Sequence, residues 1–128
     1  MRFLLDTHFL LWIATDDRRL NRAARRLLLD PENEFIFSAA SLWELAIKRT
    51  HKRTDFGYDP QSIRNQFLAN GYEELPVDGA HAIAVGTLDP IHKNPFDRLL
   101  IAQAMVEGIT LLTTDRIVAR YKGPIRRV

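Results

Sequence analysis

Arg2-Phe3-Leu4-Leu5-Asp6-Thr7-His8-Phe9-Leu10-Leu11-Trp12 sets one carboxylate inside an almost unbroken apolar run. Burying a lone ionised carboxylate costs several kcal/mol unless a cation or several donors answer its charge. The stretch reads as a short buried strand over 2–6 that feeds directly into an apolar helix over about 7–15. Asp6 stands at the junction. It either caps the helix behind it or serves a site to which other groups converge.

Working outward, Leu20, Ala23, Ala24, Leu27 and Leu28 recur with the spacing of an amphipathic helix, which Asp30-Pro31 stops. Glu34-Phe35-Ile36-Phe37-Ser38 is a second short strand, followed by a helix over 39–48 with Ser38 or Ser41 as its cap. Residues 51–60 read as a loop, and Gln61 to Asn70 as a helix with Ile63, Phe67 and Leu68 on one side and Gly71 past its end. A short strand over 73–77 and a small apolar helix over 80–88 come next. Asn94-Pro95-Phe96-Asp97 is a helix start with a cap, a proline at the first position and an acid in the first turn; Gly108 ends that helix. A buried strand at 109–113, a short helix over 116–121 and a last strand near 125–128 close the chain. Strands alternating with helices predict an α/β fold with a parallel sheet covered on both faces and right-handed crossovers.

The chain has 128 residues, 46% hydrophobic and 27% charged, which fits one soluble globular domain spanning 1–128. No apolar run approaches the roughly 20 residues of a membrane span. Met1-Arg2-Phe3-Leu4-Leu5 has the flavour of a signal peptide, but Asp6 interrupts it and no small-residue cleavage site follows. The absence of cysteine excludes a disulfide framework, a thiolate zinc site and a thiol nucleophile, and makes a reducing cytoplasm the expected location. Net charge is only +2, but the cations are clustered. Arg18, Arg19, Arg22, Arg25 and Arg26 form one block, and Lys48, Arg49, His51, Lys52 and Arg53 another. Such blocks attract nucleic-acid phosphates and serve equally as solvated helix faces.

Ligands of open α/β sheets bind beyond the carboxyl ends of the strands. Asp6 ends the first strand, Asp115 follows the strand at 109–113, and Glu44 lies about two turns into the helix after the second strand. Asp97 faces the same edge if its helix begins beside the crevice. Each acid also has a plain structural reading. Asp6 and Asp115 can cap helices, Glu44 can pair with Lys48 four residues on, and Asp97 suits a helix first turn. Together the four make a site. Two carboxylates about 4 Å apart repel by roughly 4 kcal/mol at an effective dielectric near 20, so four either keep protons or hold a divalent cation. Oxygen ligands alone suit Mg²⁺ or Mn²⁺ and disfavour zinc. That chemistry is phosphodiester hydrolysis by a metal-activated water. Asp6, Glu44 and Asp97 would hold metal or orient the water, with Asp115 completing the set directly or through water. Thr7, Ser41, Thr113 and Thr114 are placed to hydrogen-bond these ligands.

Four motifs then resemble one family. They are Leu4-Leu5-Asp6-Thr7-His8, the run Ser38-Ala39-Ala40-Ser41-Leu42-Trp43-Glu44-Leu45-Ala46-Ile47-Lys48, the run from His92 through Asn94-Pro95-Phe96-Asp97-Arg98 to Ala104, and Leu112-Thr113-Thr114-Asp115. In this order, over essentially the whole chain, they look like the PIN-domain ribonucleases, and most of all the VapC-type toxins of bacterial toxin–antitoxin pairs. The resemblance implies a PIN-like three-layer α/β/α fold with a central parallel sheet of four to five strands. It implies a Mg²⁺- or Mn²⁺-dependent endoribonuclease whose acidic quartet maps onto Asp6, Glu44, Asp97 and Asp115. It also implies a homodimer and a cognate antitoxin that inserts an arginine or other C-terminal side chain into the acidic site. Asn94 departs from the pattern, since many relatives carry an acid there, but it keeps the capping role. His92 reads first as a solvated loop histidine and otherwise as an aid to substrate binding, and Arg98 as a partner for nearby acids or phosphate, neither with a catalytic role. A housekeeping RNA-processing nuclease of the same family and a non-catalytic RNA-binding module are the competing readings. A haloacid-dehalogenase-like phosphotransferase would need an acid two residues after Asp6, where His8 stands.

Overall fold

Strand β1 (Arg2–Leu5) is the middle of a five-stranded sheet. A computed structural model describes residues 1–50 and 58–128. Strands β2 (Glu34–Ser38), β3 (Glu73–Leu75), β4 (Thr110–Thr113) and β5 (Ile125–Arg127) complete the order β3-β2-β1-β4-β5, and every pairing is parallel. The helices are α1 (Thr7–Thr15), α2 (Arg22–Leu29), α3 (Ala39–Thr50), α4 (Pro60–Ala69), α5 (Gly79–Ala84) and α6 (Pro95–Glu107).

The strand sequences are continuously apolar because the sheet is covered on both sides. Successive side chains point to opposite faces. Phe3, Leu5, Phe35, Phe37 and Leu112 accordingly enter one core with Phe9, Leu10, Leu45, Ile63 and Phe67. Leu4, Ile36 and Leu111 enter the other with Leu100, Ile101 and Ala104 of α6. Phe3, Leu4 and Leu5 have no exposed surface at all. That is the three-layer α/β/α arrangement.

Topology fixes the crevice. From β1 the chain builds β2 and β3 to one side, then crosses to β4 and β5 on the other, so strand order reverses between β1 and β4. Leu5 sits opposite Leu112, and the Asp6 amide donates to the Leu112 carbonyl at 3.2 Å. The ladder thus sets the residue after β1 beside the end of β4.

Local chemistry accounts for most element ends. Asn94 caps α6 through bonds from the Phe96 and Asp97 amides at 3.0 and 3.2 Å, with Pro95 in the first turn and Gly108 at φ +66° past the end. Several expectations need correction. The third strand stops at Leu75 because Pro76 follows, which cannot donate to a ladder. The segment 80–88 is α5 plus a 3₁₀ turn, Val85–Thr87, cut short before Asp89-Pro90. The helix expected over 116–121 is only a 3₁₀ turn, Val118–Arg120. Asn21 caps α2, so Leu20 joins the core from the preceding loop. Leu68 is 41% exposed, leaving Ile63 and Phe67 as the inward side of α4. The loop expected over 51–60 lies outside the described residues as far as 57, and Asp59-Pro60 already starts α4.

Candidate active site

Each of the four acids comes from a different element. Asp6 both caps α1 and lies in the crevice: its Oδ1 accepts from the Phe9 amide at 2.8 Å, and its Oδ2 accepts from the Thr113 hydroxyl. Burial pushes its carboxyl up to about 6, against the pull of those two bonds and of His8; the charge of Asp97 raises it further. The Thr113 oxygen in turn accepts from the Asp115 amide at 3.0 Å, so one hydroxyl ties the ends of β1 and β4 together. Asp115 is exposed at the mouth, and its Oδ1 accepts from the Ile117 amide at 2.7 Å.

Glu44 lies on α3, which packs against both α1 and α6. The Thr7 hydroxyl donates to the Ser41 hydroxyl at 3.0 Å, pinning the first turn of α1 to the turn of α3 just before Glu44. Glu44 is 2% exposed. Its Oε2 accepts from the Lys48 ammonium at 2.6 Å, while its Oε1 is buried with no hydrogen-bond partner among the described residues. Native interiors seldom tolerate an orphaned carboxylate oxygen.

Asp97 is the hub. Burial raises its carboxyl above the usual range, the bond from His92 opposes this, and the charges of Glu44 and Asp115 raise it further. Since Asp6 also feels Asp97, all four acids belong to one electrostatic group. His92 is half-buried and holds this hub in place, a correction to its reading as a solvated loop residue. The Arg98 guanidinium and the His92 amide both donate to the Tyr121 hydroxyl, at 2.9 and 3.2 Å. That leaves the Tyr121 proton for His92 Nδ1 at 2.7 Å, and makes Nε2–H the donor to Asp97 Oδ2 at 3.0 Å. Arg98 also donates to the Asp89 carbonyl at 2.8 Å, so its work is holding this loop rather than meeting an acid. Tyr121, 24 residues beyond Asp97, carries no local signal that joins it to the site.

Of the four hydroxyl residues, Thr113 bonds an acid directly, Thr7 and Ser41 bond each other, and Thr114 lies half-buried beside Asp115. The basic blocks are partly spent on surface pairs. Arg19, Arg25 and Arg49 meet Asp17, Asp16 and Asp59, and residues 51–53 lie outside the described residues.

An all-oxygen donor set, raised carboxyls and an orphaned buried oxygen fit a hard divalent cation. Such an ion would compensate the burial and, secondarily, the like charges that lift Asp6 and Asp97, and would give Glu44 Oε1 the partner it lacks. A second group, Asp78, His81 and Glu107, has ligand-type atoms within 4.8 Å of one another. Its histidine is already matched: the Asp78 amide donates to Nδ1 at 3.0 Å, and Nε2 meets Glu107 at 2.9 Å.

Known proteins carry the same frame. The Mycobacterium tuberculosis protein Ribonuclease VapC22 is 27% identical over 121 residues, 94% of this chain and 92% of that protein. VapBC2 from Rickettsia felis, solved bound to a DNA fragment from its promoter, superposes with a TM-score of 0.73 at 18% identity, covering 100% of this chain and 99% of that one. DNA-bound VapBC from Salmonella typhimurium gives 0.66 at 22% identity, covering 99% and 98%. VapBC-5 from M. tuberculosis, a member of the VapBC family of toxin–antitoxin systems, gives 0.64 at 18% identity, covering 99% and 98%. These structures share the fold. The PIN domain family model matches residues 3–124, so the chain belongs to the PIN domain family.

Proposed function

We propose that the protein is a metal-dependent endoribonuclease of the VapC type, the toxin of a toxin–antitoxin pair. The observation that carries the catalytic part is Glu44 Oε1, a buried carboxylate oxygen without a partner in a group of four mutually repelling acids. The toxin role draws support from the full-length likeness to Ribonuclease VapC22 and to VapBC structures. A cognate antitoxin, a homodimeric state and a cytoplasmic location belong to the same reading. No helix among the described residues is long and apolar enough to cross a membrane.

Asp6, Glu44 and Asp97 would hold Mg²⁺ or Mn²⁺, with Asp115 reaching it directly or through water. Bound there, the cation supplies Lewis-acid polarisation of a phosphoryl oxygen and acidifies a water. The protein's own groups do the positioning. Thr113 and the Phe9 amide fix both oxygens of Asp6, so the carboxylate cannot swing. His92 orients Asp97 from behind, and Tyr121 fixes the histidine tautomer that makes this possible. Lys48 engages Glu44 at Oε2 and leaves Oε1 available.

Cleavage of RNA in the presence of Mg²⁺, and growth arrest on expression, should both disappear in Asp6→Asn while the far-UV spectrum is kept. Retained cleavage in a clean preparation of that variant would sink the assignment. A small upstream reading frame encoding a DNA-binding protein separates the toxin from a housekeeping nuclease of the same family.

A further inference from the structure

Trp43 and Phe96 each stand one residue before an acid of the site, Glu44 and Asp97. Their rings meet edge to face, with centroids 5.0 Å apart and planes at 73°. Phe96 is half-buried, yet Trp43 keeps 59% of its surface exposed. An indole left in water forgoes the burial that normally rewards so large a ring. Here the cost falls on a ring that Phe96 already holds in one place, so little further side-chain entropy is lost when something lands on it. The surroundings say what that is. His8, Lys93 and Arg116 are each exposed and lie within four residues of one of the acids in the chain, so basic side chains flank the acidic motifs in sequence. An exposed π-face held against the residue that precedes Asp97, with basic residues close by in the chain, matches a flat base on an anionic backbone. Base–aromatic stacking needs an unpaired base, because a duplex hides its π-faces inside the helix.

We propose that Trp43, braced by Phe96, stacks on an unpaired nucleobase next to the phosphate that the acids engage. The inference rests on the nuclease reading above and makes Trp43 a positioning residue, not a catalytic one.

The test reads binding in an Asp6→Asn background, so that bound RNA is not cut. The probes are oligoadenylate and an abasic ribose-phosphate oligomer of equal length and charge. Trp43→Ala should weaken oligoadenylate about 5- to 100-fold, and Trp43→Phe should recover most of that loss. Binding of the abasic oligomer should be the same with and without the ring. In a Trp12→Phe chain, where Trp43 is the remaining tryptophan of the two, oligoadenylate should quench fluorescence and the abasic oligomer should not. This arm needs no change at Trp43 and decides the matter even if Trp43→Ala folds poorly. Equal loss for both oligomers, absence of quenching, or a change of oligomeric mass in Trp43→Ala with oligoadenylate binding intact would each overturn the proposal. Cleavage by the unmutated chain is a separate assay, so failure of the nuclease reading would be seen there and not here.

Discussion

Helix α6 carries a titratable cluster near each end, and the two behave as opposites. Asp97 and Glu107 are ten residues apart, about 15 Å along the axis at 1.5 Å per residue. At the carboxyl end, His81 is 1% exposed and fully matched. It accepts from the Asp78 amide and lies 3.4 Å from the Gln103 amide nitrogen, while its other nitrogen meets Glu107. Gln103 accepts from the Ser38 hydroxyl at 2.6 Å, so the chain of bonds runs from β2 through α6 to α5. At the amino end, Asp6 and Asp97 are raised by burial first and then by neighbouring acids, and Glu44 Oε1 has no partner among the described residues. Proximity of ligand-type atoms therefore does not distinguish a metal site from a structural knot; unanswered charge does. The matched cluster joins helices, and the unmatched one is where we propose that a cation binds.

Substitutions should break this contrast in opposite ways. Asp6→Asn should reduce Mg²⁺-dependent RNA cleavage by well over the 10- to 100-fold that loss of an outer partner typically costs. Its melting temperature without metal should hold or rise, because a buried charge has gone. His92→Ala removes only the group that orients Asp97, and should cost about 10- to 100-fold in cleavage or in Mg²⁺ affinity measured by calorimetry. At the other end, His81→Leu should cost about 1–3 kcal/mol in denaturant unfolding by removing the buried imidazole that joins the Asp78 amide to Glu107. Cleavage per folded molecule should stay unchanged, and a large fall there would mean that the His81 cluster takes part in the chemistry.

The pH dependence gives a smaller and signed effect. Asp6 has a folded-state value of about 6 against 3.8 in the unfolded chain, so between those values the folded protein binds more protons. The stability this confers is fully present below about 3.8 and is lost as pH rises through about 6. Without metal, the Asp6 contribution should therefore strengthen by about 1 kcal/mol on acidification from pH 7 to 5, approaching its full value of about 3 kcal/mol only below about 3.8. Asp97, raised in the same direction, adds to it. Mg²⁺ competes with those protons, so the gain in melting temperature on adding Mg²⁺ should be larger at pH 7.5 than at pH 5.5. Urea titrations with and without Mg²⁺ at both values test this, and Asp6→Asn should flatten the difference.

Much of the frame was legible in the sequence because it is written locally. The apolar strands, the Asn94-Pro95 start of α6 and Gly108 at its end depend on neighbours a few residues away. The placement of four acids at one edge also followed, since the alternation of strands and helices implies a parallel sheet with a crevice at the carboxyl ends. What could not be read were contacts between distant loops. Tyr121 meets His92 from 29 residues away, and this turned an ordinary loop histidine into the group behind Asp97. Arg98 was likewise misread, because its partners are carbonyl oxygens and a phenol, which carry no charge to give them away. Leu68 fits the spacing of an inward helix position, but the core beneath α4 is filled by Ile63 and Phe67.

The bond from Thr113 to Asp6 spans 107 positions of the chain. A polypeptide made from its amino end therefore completes the acidic centre only after β4 has emerged and docked beside β1. Until then Asp6 lacks its hydroxyl partner, and Asp115 has not yet arrived. The acidic centre is thus a product of tertiary folding and of no single segment of the chain.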